Sequence, residues 1–224
     1  MVSVIIPVAA RVDLAEATIK SVRANTKMAH EIRIVQNGVG LDLVRKMDYD
    51  ELICGGDTPM GYPWAINMGA RGASGDYLCL LNSDTEVMTP GWLEILTRDL
   101  DTLPDAAIVS PVTDFISIPY QHVGTCLENV VQINRLAFVC VVIRREWWDK
   151  VGNLDERFGL GNWEDNDYCE RVTRAGGKLY VDPRVFIHHV GHATHDAIMS
   201  RQQFGELLQH NRQLFEEKWS QSTA

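Results

Sequence analysis

The segment YLCLLNSDTEV, residues 77–87, changes from apolar to polar within a few positions. Its first part, Tyr77–Leu81, is a continuous apolar run typical of a strand that is buried on both faces. The polar run 82–86 follows at once and carries the carboxylates of Asp84 and Glu86. Open α/β sheets bind their ligands at the carboxyl ends of their strands. The segment therefore predicts a central strand that ends at a binding site.

Two interpretations of this strand end stay open on spacing alone. Asp84, with Glu86 close by, supplies the hard oxygen ligands that a divalent cation prefers. The simpler interpretation is a solvated loop in which Asp84 stabilises a turn, and spacing alone favours it. A second strand end, Asn37-Gly38, is equally open. Asn37 could present its amide to a base edge, but Asn-Gly is also a common turn.

The segments before and after this strand predict a parallel sheet. Residues 2–8 and 31–38 are apolar strands, and the helix between them begins at Asp13, with Glu16 at capping-box spacing. A strand, a helix and a strand in close succession imply a right-handed crossover between parallel strands. The same pattern continues with a short helix within residues 63–73, a helix that Thr89 caps with Pro90 at its first position, and a strand over 106–111.

The second half of the chain is less regular. Residues 112–134 show no clear hydrophobic periodicity and are predicted to be irregular, and residues 136–143 are predicted to form an apolar strand. A helix then ends at Gly176, a strand broken by Pro183 leads into the histidines, and an amphipathic helix begins at Asp196. The sequence therefore predicts one α/β domain with a mainly parallel central sheet flanked by helices. Its parts are a nucleotide-type half (1–111), an acceptor-type half (112–195) and a C-terminal helix (196–224).

Length and composition agree with a single domain. The chain has 224 residues, of which 46% are hydrophobic, and this length suffices for one sizeable core. A formal charge of -9 argues against a nonspecific nucleic-acid binder, which needs a basic surface. The five cysteines form no CxxC pair, which predicts reduced, mostly buried thiols. With no basic leader and no apolar stretch of ~20 residues, we expect a cytoplasmic protein without a membrane span.

Two further groups of residues could carry chemistry. Glu164, Asp165 and Asp167 crowd the start of a helix beside Trp163, where they either stabilise the helix dipole or supply a general base next to a ring-stacking platform. Chemistry alone does not separate these two interpretations, although a helix N-terminus is expected to keep such a carboxylate ionised. The second group is a histidine cluster after a strand, in which metal ligands and structural side chains are equally expected. Its members are His188, His189, His192 and His195.

Taken in order, these motifs resemble the family 2 glycosyltransferases of the GT-A fold, and most closely the rhamnosyltransferase-like branch. The resemblance covers nearly all of residues 2–195 and is specific because of the order of its motifs. These motifs are VSVIIPV, a strand ending in NG, NMGARGASGDYLCLLNSDTEV, GWLEIL, RREWWDKVGNLDERFG, WEDNDYCERVTRAGGKLY and VFIHHVGHAT.

The resemblance implies a binding site for a nucleotide-sugar donor, UDP-, dTDP- or GDP-linked. Asp84 falls on the metal-binding aspartate of the family, with His189 as the preferred second ligand, His188 as the alternative, and Mn²⁺ or Mg²⁺ as the cation. Asn82 replaces an aspartate of the family motif, Gln36 stands where many relatives have an aspartate, and Ile66 stands where many have an arginine. The implied donor-binding residues are Pro7, Val8, Asn37, Asn67, Arg71, Asn82, Ser83 and Asp84.

The resemblance also implies the chemistry. Asp165, or less favourably Glu164, would deprotonate an acceptor hydroxyl that Trp163 helps to bind, and the transfer would invert the anomeric carbon. The acceptor could be a glycan, a protein or a small molecule, and a homo-oligomer is an open expectation. The alternatives are a nucleotide- or sugar-binding module without turnover and a nucleotidyltransferase. Residues 4–13 lack the glycine-rich basic loop that the latter normally shows.

Overall fold

The computed structural model describes residues 1–191 and 193–220, with only the backbone of His195. Most of the described chain is organised around one mixed sheet of nine strands. The strands are β1 (Val2–Val8), β2 (His30–Gln36), β3 (Glu51–Cys54), β4 (Tyr77–Leu81), β5 (Thr85–Val87), β6 (Ala106–Thr113), β7 (Val131–Ile133), β8 (Cys140–Arg144) and β9 (Lys178–His189).

The sheet has the order β3-β2-β1-β4-β8-β6-β9-β5, and β7 pairs with β9 beside this path. Neighbours from β3 to β4 are parallel, as are β6 and β9. Strand β8 lies antiparallel between β4 and β6, and β5 pairs antiparallel with the end of β9. The predicted α/β architecture with a mainly parallel central sheet is confirmed.

Helices cover both faces of the sheet. They are α1 (Val12–Asn25), α2 (Leu41–Val44), α3 (Tyr62–Ala70), α4 (Trp92–Thr102), α5 (Arg145–Val151), α6 (Glu164–Arg174), α7 (Ala193–Ile198) and α8 (Arg201–Ser220). One apolar cluster packs α1 and α4 against the sheet, and a second packs α3, α5 and α6 against the opposite face. Burial on both faces explains why the central strands are continuous apolar runs.

Two predicted helix starts are wrong. Helix α1 begins at Val12, because Arg11 adopts a left-handed conformation (φ 45°), and Asp13 pairs with the Arg11 guanidinium instead of capping the helix. Helix α4 begins after Gly91 rather than at Pro90. Thr89 does not cap it, since its hydroxyl bonds to the Phe186 backbone. A local ion pair engages Asp13, and a tertiary contact with β9 engages Thr89, so neither side chain caps its helix as local spacing predicted.

The second half is more regular than predicted. Strand β7 lies in the segment predicted to be irregular, and β8 begins at Cys140 rather than at residue 136. Strand β9 continues across Pro183, because its pairing with β6 skips residues 183–185 and leaves a bulge there. A bulge tolerates a proline that cannot donate to the ladder. The C-terminal segment forms two helices, α7 and α8, instead of one.

Two compositional expectations can be compared with the structure. Cys79, Cys140 and Cys169 are buried and unpaired, whereas Cys54 and Cys126 are free and exposed. Within the described residues, no helix is both long and apolar enough to cross a membrane.

Two glycines give a test of how closely α3 packs on the sheet. A Cβ on Gly69 would lie 3.0 Å from Val35 Cγ2 and closer still to Ile5 Cγ2. We expect Gly69→Ala to lower the free energy of unfolding by ~1–3 kcal/mol, because it overpacks the core. Gly205 in α8 has no such neighbour within 4 Å. Gly205→Ala should therefore raise the free energy of unfolding by ~0.5–1 kcal/mol. Urea unfolding of both variants checks the contrast, and equal effects would contradict the packing argument.

Candidate active site

A cavity of about 530 Å³ opens where the carboxyl ends of β1, β2, β4, β6 and β9 meet. This is the edge at which open α/β sheets bind ligands, and the volume is that of a typical small-molecule site. The cavity is lined by residues that follow these strands and by the start of α6. They include Pro7, Ala9, Asn37, Tyr62, Asn82, Ser83, Asp84, Asp114, Phe115, Ile116, Phe138, Leu160, Gly161, Asn162, Glu164, Asp165, His189, Thr194 and Ile198.

Asp84 and His189 face each other in this cavity. Strand β5 pairs with β9 so that Thr85 lies opposite His189, and the Val190 N–H donates to the Asp84 carbonyl at 3.0 Å. The pairing brings His189 Nε2 to 3.4 Å from Asp84 Oδ1, and both side chains are buried. Burial lowers the pKa of His189, but the Asp84 carboxylate, the Phe115 carbonyl and the charge of Asp114 together outweigh it, so that this pKa is raised overall.

Asp114 and the Phe115 carbonyl hold the imidazole of His189 in place. His189 Nδ1 lies 2.7 Å from the Phe115 carbonyl oxygen, and the His189 backbone N–H donates to Asp114 Oδ1 at 2.9 Å. His188 points to the other side of the strand, where its Nδ1 lies 2.6 Å from Asp114 Oδ2. His188 is absent from the cavity lining, so its assignment as a metal ligand is not supported. The opposite orientation of the two histidines was expected from the alternation of strand side chains.

Asp84 and His189 are the described side chains best placed to bind a cation. Within the described residues, no group of three His, Cys, Asp or Glu side chains gathers as a complete metal site. Glu86 is exposed on the other face of β5 and does not reach the cavity. His192 and the side chain of His195 lie outside the described residues. One carboxylate and one imidazole nevertheless suit a divalent cation that takes its other ligands from a bound substrate or water.

Glu164 and Asp165, at the start of α6, form another part of the cavity wall. Glu164 is buried, and its Oε2 has no hydrogen-bond partner among the described residues. Asp165 Oδ1 accepts hydrogen bonds from the backbone N–H of Asn166 at 2.7 Å and from its side-chain amide at 3.1 Å. Burial raises the pKa of Asp165 to about 6, and burial together with the Asp165 charge raises the pKa of Glu164 well above its usual value. Burial thus outweighs the helix N-terminus that was expected to keep both ionised.

The chain enters α6 through an unusual turn. Gly161, Asn162 and Trp163 have φ angles of 121°, 71° and 76°, and we call residues 161–163 the left-handed turn. Residues other than glycine rarely adopt positive φ, and such strain is found mainly at functional sites. The turn aims the first residues of α6 at the cavity.

Three implied donor residues lie away from the cavity. The side chain of Val8 is buried in the apolar core, because it faces the layer under β1, and Ala9 reaches the cavity instead. Asn67 uses its amide to bind the Leu154 backbone and the Glu156 carboxylate. Arg71 is exposed at the far end of α3, whose first residue lines the cavity. These three assignments are corrected.

Asn37 lines the cavity, but its amide is already engaged. Its Oδ1 accepts from Met60 N at 2.7 Å, and its Nδ2 donates to the Gly61 carbonyl at 3.2 Å. The side chain therefore stabilises the loop beside the cavity. Because both ends of the amide are engaged, the hypothesis that Asn37 binds the edge of a nucleobase loses its main support. Pro7, Asn82 and Ser83 line the cavity as expected.

Trp163 does not face the cavity. Its ring packs against Phe215 of α8 with centroids 5.3 Å apart, and it is not among the lining residues. The left-handed conformation of Trp163 turns its side chain toward the C-terminal helix, so we correct its assignment as an acceptor-binding residue.

Sequence reasoning missed Asp114, Phe115 and Tyr62. Asp114 follows the apolar strand β6 just as Asp84 follows β4, so the same strand-end rule would have identified it. Tyr62 lies at the start of α3 and donates its hydroxyl to the Phe138 carbonyl at 3.0 Å. No pattern in the sequence marks that contact, since it joins residues far apart in the chain.

The cavity is strongly acidic. Four carboxylates line it, those of Asp84, Asp114, Glu164 and Asp165. Among the described lining residues there is no lysine or arginine. An anionic ligand would therefore need a cation that the side chains do not supply.

Comparison with known proteins agrees with this geometry. The model of a family described as glycosyl transferase family 2 matches residues 3–126, more than half of the chain. The chain is 29% identical over 223 residues to the O-antigen biosynthesis protein RfbC of Myxococcus xanthus, covering 84% of this chain and 17% of that protein. It is 26% identical over 194 residues to a putative polypeptide N-acetylgalactosaminyltransferase 13 of Drosophila melanogaster, covering 71% of this chain and 34% of that protein. The chain thus spans only 17% and 34% of the length of these two relatives.

Two solved structures share the fold at low sequence identity. One is GalNAc-T7 with UDP, GalNAc and Mn²⁺, with a TM-score of 0.69, 14% identity and coverage of 84% of this chain and 43% of that one. The other is the mannosyltransferase PcManGT from Pyrobaculum calidifontis with GDP-Man and Mn²⁺, with a TM-score of 0.68, 15% identity and coverage of 88% and 59%. The sheet with its strand-end cavity and the family match lead to one conclusion: the chain belongs to glycosyl transferase family 2 and has the GT-A fold.

Proposed function

We propose that this domain transfers a sugar from a nucleoside-diphosphate sugar to an acceptor hydroxyl, with a divalent cation and with inversion at the anomeric carbon. The observation that carries the proposal is that one cavity is lined by two chemically different pairs of side chains from different elements. Asp84 and His189, after β4 and at the end of β9, form the first wall, and Glu164 and Asp165, at the start of α6, form the second. The two fold neighbours, whose structures hold UDP or GDP-Man with Mn²⁺, support the class of donor.

The donor diphosphate belongs at the Asp84 wall. Asp84 and His189 would hold the cation, which would neutralise the charge of the departing nucleoside diphosphate. The acidic lining supports this requirement, because without a cation four carboxylates would repel a diphosphate. Asn82 and Ser83 lie beside Asp84 and can donate hydrogen bonds to phosphate oxygens.

Asp165 is the better placed of the two candidate bases. Its carboxylate is oriented by the backbone N–H and the side-chain amide of Asn166, and its pKa of about 6 leaves it mostly ionised at neutral pH. Burial and the charge of the neighbouring Asp165 raise the pKa of Glu164 well above its usual value, which disfavours its ionised form. A base must be ionised to accept the hydroxyl proton, so we assign this role to Asp165. In-line attack on the face of the anomeric carbon away from the leaving group would give inversion.

Removing the base tests the catalytic assignment. We expect Asp165→Asn to lower the rate of sugar transfer by ~10²–10⁴-fold, because the amide cannot accept the proton. Affinity for the nucleoside diphosphate with Mn²⁺ should stay unchanged, since Asp165 lies on the other wall. Product formation and calorimetric titration measure the two quantities. A transfer rate close to that of the native protein, or a product with retained anomeric configuration, would contradict this mechanism.

The same carboxylate predicts a pH dependence. Because burial raises the pKa of Asp165 to about 6, the base is protonated and inactive below that pH. We expect kcat/KM to rise with pH through about 6 and to level off at neutral pH. The rising limb should be absent from the residual activity of Asp165→Asn. A profile that is flat between pH 5 and 7 would remove Asp165 from the reaction.

Removing the proposed metal ligand tests the donor wall. UDP, GDP, dTDP and CDP are each added with and without Mn²⁺, and thermal unfolding is measured. A diphosphate at 100 times its Kd stabilises the folded state by about 2.7 kcal/mol, and we expect this only when Mn²⁺ is present. Asp84→Ala should abolish that stabilisation.

Glu86→Ala is the matched control, since Glu86 is an exposed carboxylate two residues away, in β5, and does not line the cavity. It should respond to Mn²⁺ as the native protein does. Equal losses in both variants would mean that Asp84 has no specific role. Donor binding without nucleotide release in the presence of any acceptor would favour a binding module instead of an enzyme.

A further inference from the structure

The left-handed turn that presents Glu164 and Asp165 cannot be explained by its own sequence. Asn162 and Trp163 both adopt positive φ, and the N-terminus of α6 at Trp163 has no side-chain cap. Such conformations persist only where the surrounding structure holds them. The groups that hold the turn therefore also control where the two carboxylates point.

Helix α8 contacts the left-handed turn and the loop before it mainly through the buried side-chain amide of Asn211. Asn211 is fully buried, and its Nδ2 lies 2.8 Å from the Phe158 carbonyl, 2.9 Å from that of Gly161 and 2.9 Å from that of Asn162. Two N–H donors are shared among three backbone carbonyls. The amide cannot be reversed, because its oxygen would then face the three carbonyl oxygens.

The burial of Asn211 is not explained by the stability of α8 itself. Within α8 as described, Asn211 is the buried residue, whereas the apolar side chains Leu208, Leu214 and Phe215 are only half-buried. Its Oδ1 has no hydrogen-bond partner among the described residues, which is a cost in a buried position. A helix that merely covered the core would place an apolar residue there.

Other residues of α8 fix the segments on both sides of the turn. The Phe215 ring packs on the Trp163 ring, and Lys218 Nζ lies 2.8 Å from Asp155 and 2.6 Å from Asp167. Trp219 Nε1 donates to the same buried Asp167 at 3.1 Å. Helix α8 therefore contacts the loop before the left-handed turn, the left-handed turn itself and the first helical turn of α6.

The start of α3 closes on the loop from the cavity side. Gly61 lies so close to the Gly159 carbonyl that a Cβ at Gly61 would collide with it, and Gly161 approaches Tyr62. The loop of residues 158–163 thus lies between the start of α3, on its cavity side, and α8, on its other side. The inner contacts involve the backbone of glycines, whereas α8 contributes the Asn211 amide and the Phe215 ring to the loop.

We propose that Asn211 and Phe215 are positioning residues, through which α8 clamps the left-handed turn and sets the carboxylates of Glu164 and Asp165 toward the acceptor. The inference rests on the proposed function for its catalytic consequence. Its structural part, the clamp, can be measured without any transfer reaction.

The test uses the full chain with Asn211→Leu, which keeps the same number and branching of side-chain heavy atoms and is a good helix former, but removes the donors. We expect amide hydrogen exchange in residues 158–166 to become about tenfold faster or more, while exchange in β1, β4 and β8 stays unchanged. We also expect kcat to fall about tenfold or more, with the Kd for nucleoside diphosphate and Mn²⁺ unchanged.

His210→Leu is the matched control, because His210 is the exposed neighbour of Asn211 on the same helix. It should leave both exchange and kcat unchanged. Phe215→Leu is a second variant in case Asn211→Leu releases the whole helix. It preserves an apolar contact and should accelerate exchange in the same segment to a smaller extent.

The outcomes separate the two proposals. Uniformly faster exchange, or faster local exchange with an unchanged kcat, would overturn the positioning role, since α8 would then contribute stability alone. If the native protein transfers no sugar from any donor, the proposed function fails. The hydrogen-exchange measurement then still decides whether α8 clamps the left-handed turn. An unchanged exchange rate in residues 158–166 of Asn211→Leu would overturn the clamp as well.

Discussion

The pairing of the short strand β5 with the end of β9 is the constraint on which the site depends. It joins a segment that directly follows the central strand β4 to a segment 100 to 104 residues further along the chain. Asp84 and His189 meet only because of this pairing, which the hydroxyl of Thr18 supports from α1 through bonds to both backbone groups of Thr85. A strand of three residues can hold this position because helix and sheet contacts secure both of its sides.

The sequence could predict those features whose signal is local. Continuous apolar runs identified β1, β2, β4 and β6, and the polar residues after β4 identified the cavity edge around Asp84. The crowd of carboxylates at the start of α6 identified Glu164 and Asp165, which the structure places in the same cavity. Each of these signals depends on neighbouring residues and on the fixed geometry of strand ends.

The remaining features depend on contacts between distant segments. Asn67 and Arg71 were expected at the cavity, but the direction of α3 carries them away from it. Trp163 was expected beside an acceptor, yet a left-handed backbone turns its ring toward α8. No hydrophobic periodicity in the sequence indicates such a left-handed backbone conformation, because the contacts that stabilise it come from residues about fifty positions later. Short strands such as β7 likewise form because β9 offers an edge to pair with.

The acidic lining of the cavity has a consequence for the last step of the proposed reaction. In that reaction, the released nucleoside diphosphate would carry more negative charge than it did as a sugar ester. No fixed positive side chain among the described lining residues would retain it, and four carboxylates line the site. Electrostatic repulsion in a partly enclosed site would therefore favour departure of the product once a cation no longer neutralises its charge. The lining that would make a cation necessary for binding would also promote rapid release.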